Sequence, residues 1–170
     1  MRLAISRAKR RGRVHLELGG KAPFVVFDDA DLEAAAHGAV AGALINTGQD
    51  CTAATRAYMQ RPLFDAFVGR VANLFQKVRL GDPMDPATDL GPLVTMLQCE
   101  RVAGFVDRAR EAGAQVITGG KRNGAHYEPT LIIGAIQSNE IVQSEVFGPV
   151  LVVLPFESDA EGLGLANDTP

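Results

Sequence analysis

Apolar residues recur along this chain in two rhythms, and each rhythm forecasts an element. Phe24-Val25-Val26-Phe27 is a short unbroken apolar run, preceded by Pro23 and followed by Asp28-Asp29, as suits a strand buried on both faces. Asp28 or Asp29 then caps a helix over 31–46, whose Ala/Leu/Ile-rich character predicts packing on more than one side. Residues 55–60 read as a second strand. Arg61-Pro62 opens a helix in which Leu63, Phe67, Val71, Leu74 and Val78 return at intervals of three and four, the spacing of one buried stripe. Three prolines and two glycines make 81–92 a loop, and Val102, Phe105, Val106 and Ala109 mark a third helix ending near Gly113. After it, 115–118 reads as a strand, 126–135 as extended, 150–156 as a further apolar strand and 159–167 as a helix.

Strands that alternate with helices imply βαβ units, so the expected fold is α/β, with a mainly parallel sheet and flanking helices. The 170 residues, 46% of them apolar, suffice for one core and are too few for two large ones, which predicts a single domain over 1–170. Lys and Arg number 17 against 20 Asp and Glu, a net charge of -3, so no overall positive field draws the chain to nucleic acid or anionic lipid. Arg2, Arg7, Lys9, Arg10, Arg11 and Arg13 do crowd the start of the chain. No apolar stretch follows them as in an export signal, and no aromatics interleave them as in a nucleic-acid strip, so they read as a solvated helix face. No apolar run approaches the ~20 residues of a bilayer span, so neither nucleic acid nor membrane is an expected partner. Cys51 and Cys99 lie 48 residues apart with neither CxxC nor Cys/His ligand spacing, which argues against a disulfide scaffold and structural zinc and for the reducing cytoplasm.

The stretch Asn46-Thr47-Gly48-Gln49-Asp50-Cys51-Thr52-Ala53 sets a lone cysteine in a polar, glycine-containing turn between a helix and a strand. A thiol there is open to substrate, and free backbone N–H groups of the turn can stabilise an oxyanion. The alternative is an inert small residue, the usual fate of a free cysteine and the one expected for Cys99 on its helix. A thiol nucleophile needs a partner to form its thiolate, and hydrolysis of its acyl adduct needs an activated water. His15, His37 and His126 show no special placement. Glu17, between Leu16 and Leu18, sits in apolar company that raises a carboxyl toward general-base strength, and Gly19-Gly20 lets the backbone approach a ligand closely. Gly-Gly-Lys without the GxxxxGK[ST] spacing is not a phosphate loop.

Glu17-Leu18-Gly19-Gly20-Lys21, with Gly48-Gln49-Asp50-Cys51 following so that glutamate and cysteine lie 34 residues apart, resembles the paired signature of the aldehyde dehydrogenase superfamily. Glu145-Val146-Phe147-Gly148-Pro149-Val150 resembles that family's late cofactor-contact motif, and Leu90-Gly91-Pro92-Leu93 and Glu128-Pro129-Thr130-Leu131 its intervening landmarks. The resemblance implies the catalytic domain of that fold, with Cys51 as nucleophile and Glu17 as general base. It implies NAD as cofactor, or NADP, with Glu145 at the nicotinamide ribose and Phe147, Leu18 and Gly19 at the ring. The thiolate would attack an aldehyde, hydride would pass to the nicotinamide, and water activated by Glu17 would release a carboxylic acid from the thioester. The cysteine motif is most like that of enzymes acting on aminoaldehydes such as 4-aminobutyraldehyde, and Asp50 would suit a cationic amine. Full-length members are usually homo-oligomers and about three times this length. The chain is therefore expected to be a fragment without most of the NAD-binding domain and the last strands, and inactive alone. A cofactor-independent cysteine esterase and a catalytically silent folded remnant remain as alternatives.

Overall fold

The computed structural model describes residue 15 and residues 18–169. The basic run at positions 2–13 and Glu17 lie outside the described residues. Strands β1 (Pro23–Val26), β2 (Arg56–Gln60), β3 (Gln115–Thr118), β6 (Thr130–Ile133) and β7 (Val150–Phe156) form one sheet in the order β1-β2-β7-β6-β3. β1, β2, β7 and β6 run parallel, and β3 closes one edge antiparallel to β6. The fold is thus the mainly parallel α/β arrangement that the alternation of elements predicts. β3 is the exception. Only residues 119–129, with no helix among them, join β3 to β6, too short a link for the crossover that a parallel pair needs, so β3 pairs antiparallel. A two-residue hairpin, β4 (Arg122–Asn123) and β5 (His126–Tyr127), occupies part of the extended stretch.

The period-two alternation of the strands divides the interior into two layers. Val26, Ala57, Met59, Leu131, Leu151 and Val153 face α1 (Leu32–Leu44) and α2 (Phe64–Lys77). Tyr58, Ile132, Val150, Val152, Leu154 and Phe156 face α3 (Met96–Glu111), the short α4 (Glu140–Gln143) and α5 (Asp159–Asn167). Both faces are covered, which is why β7 is apolar throughout.

Three expectations need correction. The cap of α1 is Asp31, whose carboxylate accepts from the N–H groups of Glu33 and Ala34 at 2.9 and 3.0 Å, and Asp28 and Asp29 belong to the preceding turn. That helix buries one stripe, Ala36, Ala39 and Ala43, while Ala34 and Ala41 face solvent, so its alanine content reflects close approach to α2 and the sheet on a single side. Pro62 occupies a single 3₁₀ turn, α2 starts at Phe64, and Val78 lies past its end in extended backbone. Within α2 the stripe holds at Phe67 and Val71, which are buried, and at Leu74, which is half-buried, while Phe75, outside the forecast, is buried beside them.

Phe67 is fully buried between α1 and the sheet, whereas Asn73 on the same helix is exposed. Phe67→Ala is expected to cost about 3–5 kcal/mol in urea unfolding and Asn73→Ala less than about 0.5 kcal/mol. Equal effects would show that α2 does not pack as described.

Candidate active site

The turns that precede β1, β2 and β7 converge beyond the amino ends of these three parallel strands. They enclose a pocket of about 370 Å³ lined by Leu18, Gly19, Gln49, Asp50, Cys51, Glu145 and Phe147. Ligands of open α/β sheets usually bind at the carboxyl ends, so this site uses the opposite end of its sheet. Five residues singled out from the sequence, Cys51, Leu18, Gly19, Glu145 and Phe147, share this pocket. Glu17 immediately precedes Leu18, but its own position lies outside the described residues.

The cysteine turn is an excursion closed at its base. The Ala54 N–H donates to the Gly42 carbonyl at 3.0 Å, tying the end of α1 to the start of β2 and leaving 45–53 to project. Asn46, Thr47 and Gly48 follow one another in the left-handed region, at φ 47°, 60° and 69°. Such a conformation costs a threonine about 1–3 kcal/mol, and it is held by contacts on every side. Asn46 Nδ2 donates to the Gln49 carbonyl at 2.9 Å, and Gln49 Oε1 accepts from the Val94 N–H at 2.9 Å. A Cβ on Gly48 would collide with the Gly148-Pro149 peptide, so this glycine lets two backbones meet. Cys51 then sits exposed in a turn closed by the Ala53 N–H donating to the Asp50 carbonyl at 3.1 Å. The Cys51 N–H itself donates to no acceptor among the described residues, which leaves it for an oxyanion on a group attached to Sγ. Asp50 Oδ1 accepts from the Thr52 hydroxyl at 2.5 Å and its N–H at 2.7 Å, and these bonds hold its carboxyl below its ordinary pKa.

The opposite wall is the 145–147 segment, in which Phe147 is also left-handed at φ 58°. Sequence reasoning missed the side chains that fix it. Gln98 Nε2, in the first turn of α3, donates to the Phe147 and Val146 carbonyls at 2.8 and 3.2 Å. Arg101 donates to the Val146 and Glu145 carbonyls at 3.1 and 3.0 Å. Their spacing of three along an exposed helix face resembles ordinary surface polarity, so no local signal distinguishes them.

Two buried cations were missed as well. Lys21 and Arg56 are 6% and 0% exposed, and Lys21 Nζ and two of the three Arg56 nitrogens have no hydrogen-bond partner among the described residues. Arg56 spends its third nitrogen on the Ala166 carbonyl at 3.0 Å and lies 5.3 Å over the Tyr58 ring. The histidines stand elsewhere: His15 and His37 are exposed, and His126 Nε2 lies 3.1 Å from the Gly81 carbonyl. Among the described residues no cluster of His, Cys, Asp and Glu fits a metal ion, and no helix is long and apolar enough to cross a membrane.

A model of the aldehyde dehydrogenase family matches residues 1–170. The chain belongs to the aldehyde dehydrogenase family. Betaine aldehyde dehydrogenase of Sinorhizobium fredii is 39% identical over 174 residues, a span that takes in 99% of this chain and 36% of that relative, and the enzyme of the same name from Mesorhizobium japonicum is 41% identical over 161 residues. Betaine aldehyde dehydrogenase from Staphylococcus aureus in complex with NAD+ superposes with a TM-score of 0.88 at 38% identity, over 90% of this chain and 32% of that one. The NAD+ complex of aldehyde dehydrogenase from Bacillus cereus matches equally, with a TM-score of 0.88 at 39% identity. The chain thus spans about a third of the length of the relatives it matches.

The pocket offers an acceptor to a ligand hydroxyl. Glu145 Oε1 is buried without a donor among the described residues, and its carboxylate packs into the space that a Cβ at position 19 would occupy, so a side chain there would displace it.

Cys99 is fully buried, its Sγ 3.7 Å from the His126 carbonyl, and burial pushes its thiol pKa up. Brief iodoacetamide treatment of folded protein followed by peptide mass spectrometry should therefore label Cys51 well before Cys99. In the same turn, Gly48→Ala combines a left-handed φ with a backbone collision and should destabilise by about 2–5 kcal/mol. Gly69→Ala, on the exposed face of α2 with open space around it, should be neutral or slightly stabilising. Equal denaturation midpoints for the two variants would contradict the close approach of the two turns.

Proposed function

We propose that this chain carries the thiol-bearing part of an NAD-dependent aldehyde oxidation, with Cys51 as nucleophile and Glu17 as general base. The observation that supports it is the meeting, in one pocket, of an exposed Cys51 with an unused N–H and a Glu145 carboxylate with an unused oxygen. Cys51 Sγ attacks the aldehyde carbon, a C–S bond forms, and the negative charge on oxygen is met by the Cys51 N–H. Bound NAD supplies a hydride acceptor at that carbon. Glu145 would accept from the ribose hydroxyls, and Phe147, Leu18 and Gly19 would hold the nicotinamide ring. Glu17 then takes a proton from water, the resulting hydroxide adds to the thioester carbon, and the C–S bond breaks to give a carboxylic acid and a free thiolate.

Substrate choice follows from charge. Asp50 lines the pocket beside Cys51 and stays ionised, which favours aldehydes with a cationic nitrogen. We take 4-aminobutyraldehyde as the first candidate, with betaine aldehyde, named in the relatives, as the comparison.

The thiol chemistry is separable from hydride transfer. With p-nitrophenyl acetate, mass spectrometry should find acetyl on Cys51, Cys51→Ala should lose it, and Glu17→Gln should retain it with deacylation slowed ~10²–10⁴-fold. Hydrolysis that survives Cys51→Ala would remove the nucleophile assignment.

Hydride transfer by the 170 residues alone is expected to fail. The described groups placed to meet a dinucleotide are confined to Leu18, Gly19, Glu145 and Phe147, too few to offset the entropy of immobilising it. Orientation contributes ~7–11 kcal/mol to such a step. Calorimetric titration with NAD should show no micromolar binding, and absorbance of reduced cofactor should stay flat with either aldehyde. Steady turnover would reveal a cofactor site elsewhere in the chain.

A further inference from the structure

An ammonium and a guanidinium buried side by side repel each other and lose hydration, so Lys21 and Arg56 burden the fold. Arg56 has a structural use at the end of α5, but the Lys21 ammonium has no hydrogen-bond partner among the described residues. Its surroundings carry one opposite charge, Glu145 from the segment ahead of β7, set against Arg56 from β2. Glu145 in turn holds a buried oxygen without a donor, and its carboxylate lies against Gly19, two residues before Lys21 on the same strand-leading turn. A buried ammonium and a buried carboxylate oxygen of opposite charge thus feel each other's field with no hydrogen bond between them, and each is left without a partner among the described residues.

We propose that Lys21 is a positioning residue for Glu145: its buried ammonium holds that carboxylate against the Gly19 backbone, with one oxygen left to accept from a hydroxyl of a bound polyol such as a ribose. The proposal rests on reading Glu145 as the ribose contact. It accounts for a cation that folding does not need, and for the absence of any side chain at position 19. Burial, first, and the Arg56 charge, second, bring the Lys21 amine down to about 7, with Glu145 opposing them, so its charge changes near neutrality.

The test follows the side chains by NMR in the 170-residue chain labelled with ¹³C at glutamate Cδ and lysine Cε and with ¹⁵N at glycine. From pH 5 to 10, the Glu145 carboxyl and the Gly19 amide should both step at the midpoint of Lys21, near pH 7. Lys21→Met should abolish both steps and leave Gly19 at its high-pH position. Lys21→Arg, a cation that does not titrate, should restore the low-pH position at every pH. Glu145→Gln should move the Lys21 midpoint to lower pH, and this arm decides if Lys21→Met fails to fold. Steps that persist in Lys21→Met, or a Lys21 midpoint indifferent to Glu145→Gln, overturn the proposal.

Stability gives an independent check. The folded chain holds the Lys21 proton less tightly than the unfolded chain, so the unfolded chain carries the extra proton between about pH 7 and 10.5 and this residue's contribution to stability rises with pH across that window. Lys21→Met should lose that rise and be no less stable than the parent at pH 6; a large destabilisation there would mark Lys21 as structural and overturn the proposal. Failure of the ribose reading has its own signature: nicotinamide mononucleotide at millimolar concentration would leave the Glu145 carboxyl unmoved while its coupling to Lys21 persists.

Discussion

The contact between Gly48 and the Gly148-Pro149 peptide is the constraint on which the rest of the site depends. It is a meeting of two main chains, and it exists only because position 48 has no side chain and accepts a left-handed φ. From it follow the registration of the Cys51 turn against the 145–147 segment and the size of the pocket between them. Both turns are strained, at Thr47 and at Phe147, and both are clamped from outside by residues of other elements. Strain held in this way keeps the pocket's groups in place without the reorganisation that a relaxed loop would undergo on binding.

The sheet beneath was largely legible from the sequence, because β1 and β7 are apolar runs bounded by prolines, glycines or charged residues and α2 carries an apolar stripe. The direction of β3 was not, since an amphipathic four-residue strand reads alike in either sense and only its neighbours decide. Nor was the cap of α1, where three aspartates, Asp28, Asp29 and Asp31, compete and backbone geometry selects Asp31. The family motifs pointed to Cys51, Glu145 and Phe147, but not to Gln98, Arg101 or Arg56, whose partners are main-chain carbonyls that no pattern of side chains announces. Lys21 was visible as part of a motif and was read only as a phosphate loop that failed to match. Its burial depends on residues more than thirty positions away.

The placement of the pocket at the amino ends of the strands carries an electrostatic consequence. α1 and α5 both run back from the carboxyl ends of their strands and finish on the pocket side, one leading into the cysteine turn and the other against Arg56. Aligned peptide dipoles put roughly half a negative charge at each such helix end. Most α/β sites enjoy the reverse, with helix amino termini ready to receive anions. This end of the molecule therefore has a field that favours cations and opposes a thiolate, and counter-charges must come from side chains. Arg56, hydrogen-bonded to the Ala166 carbonyl near the end of α5, and Lys21, whose charge it feels, supply two positive charges within the protein, so a buried pair that burdens the fold also offsets the macrodipoles that this inverted layout turns toward the pocket.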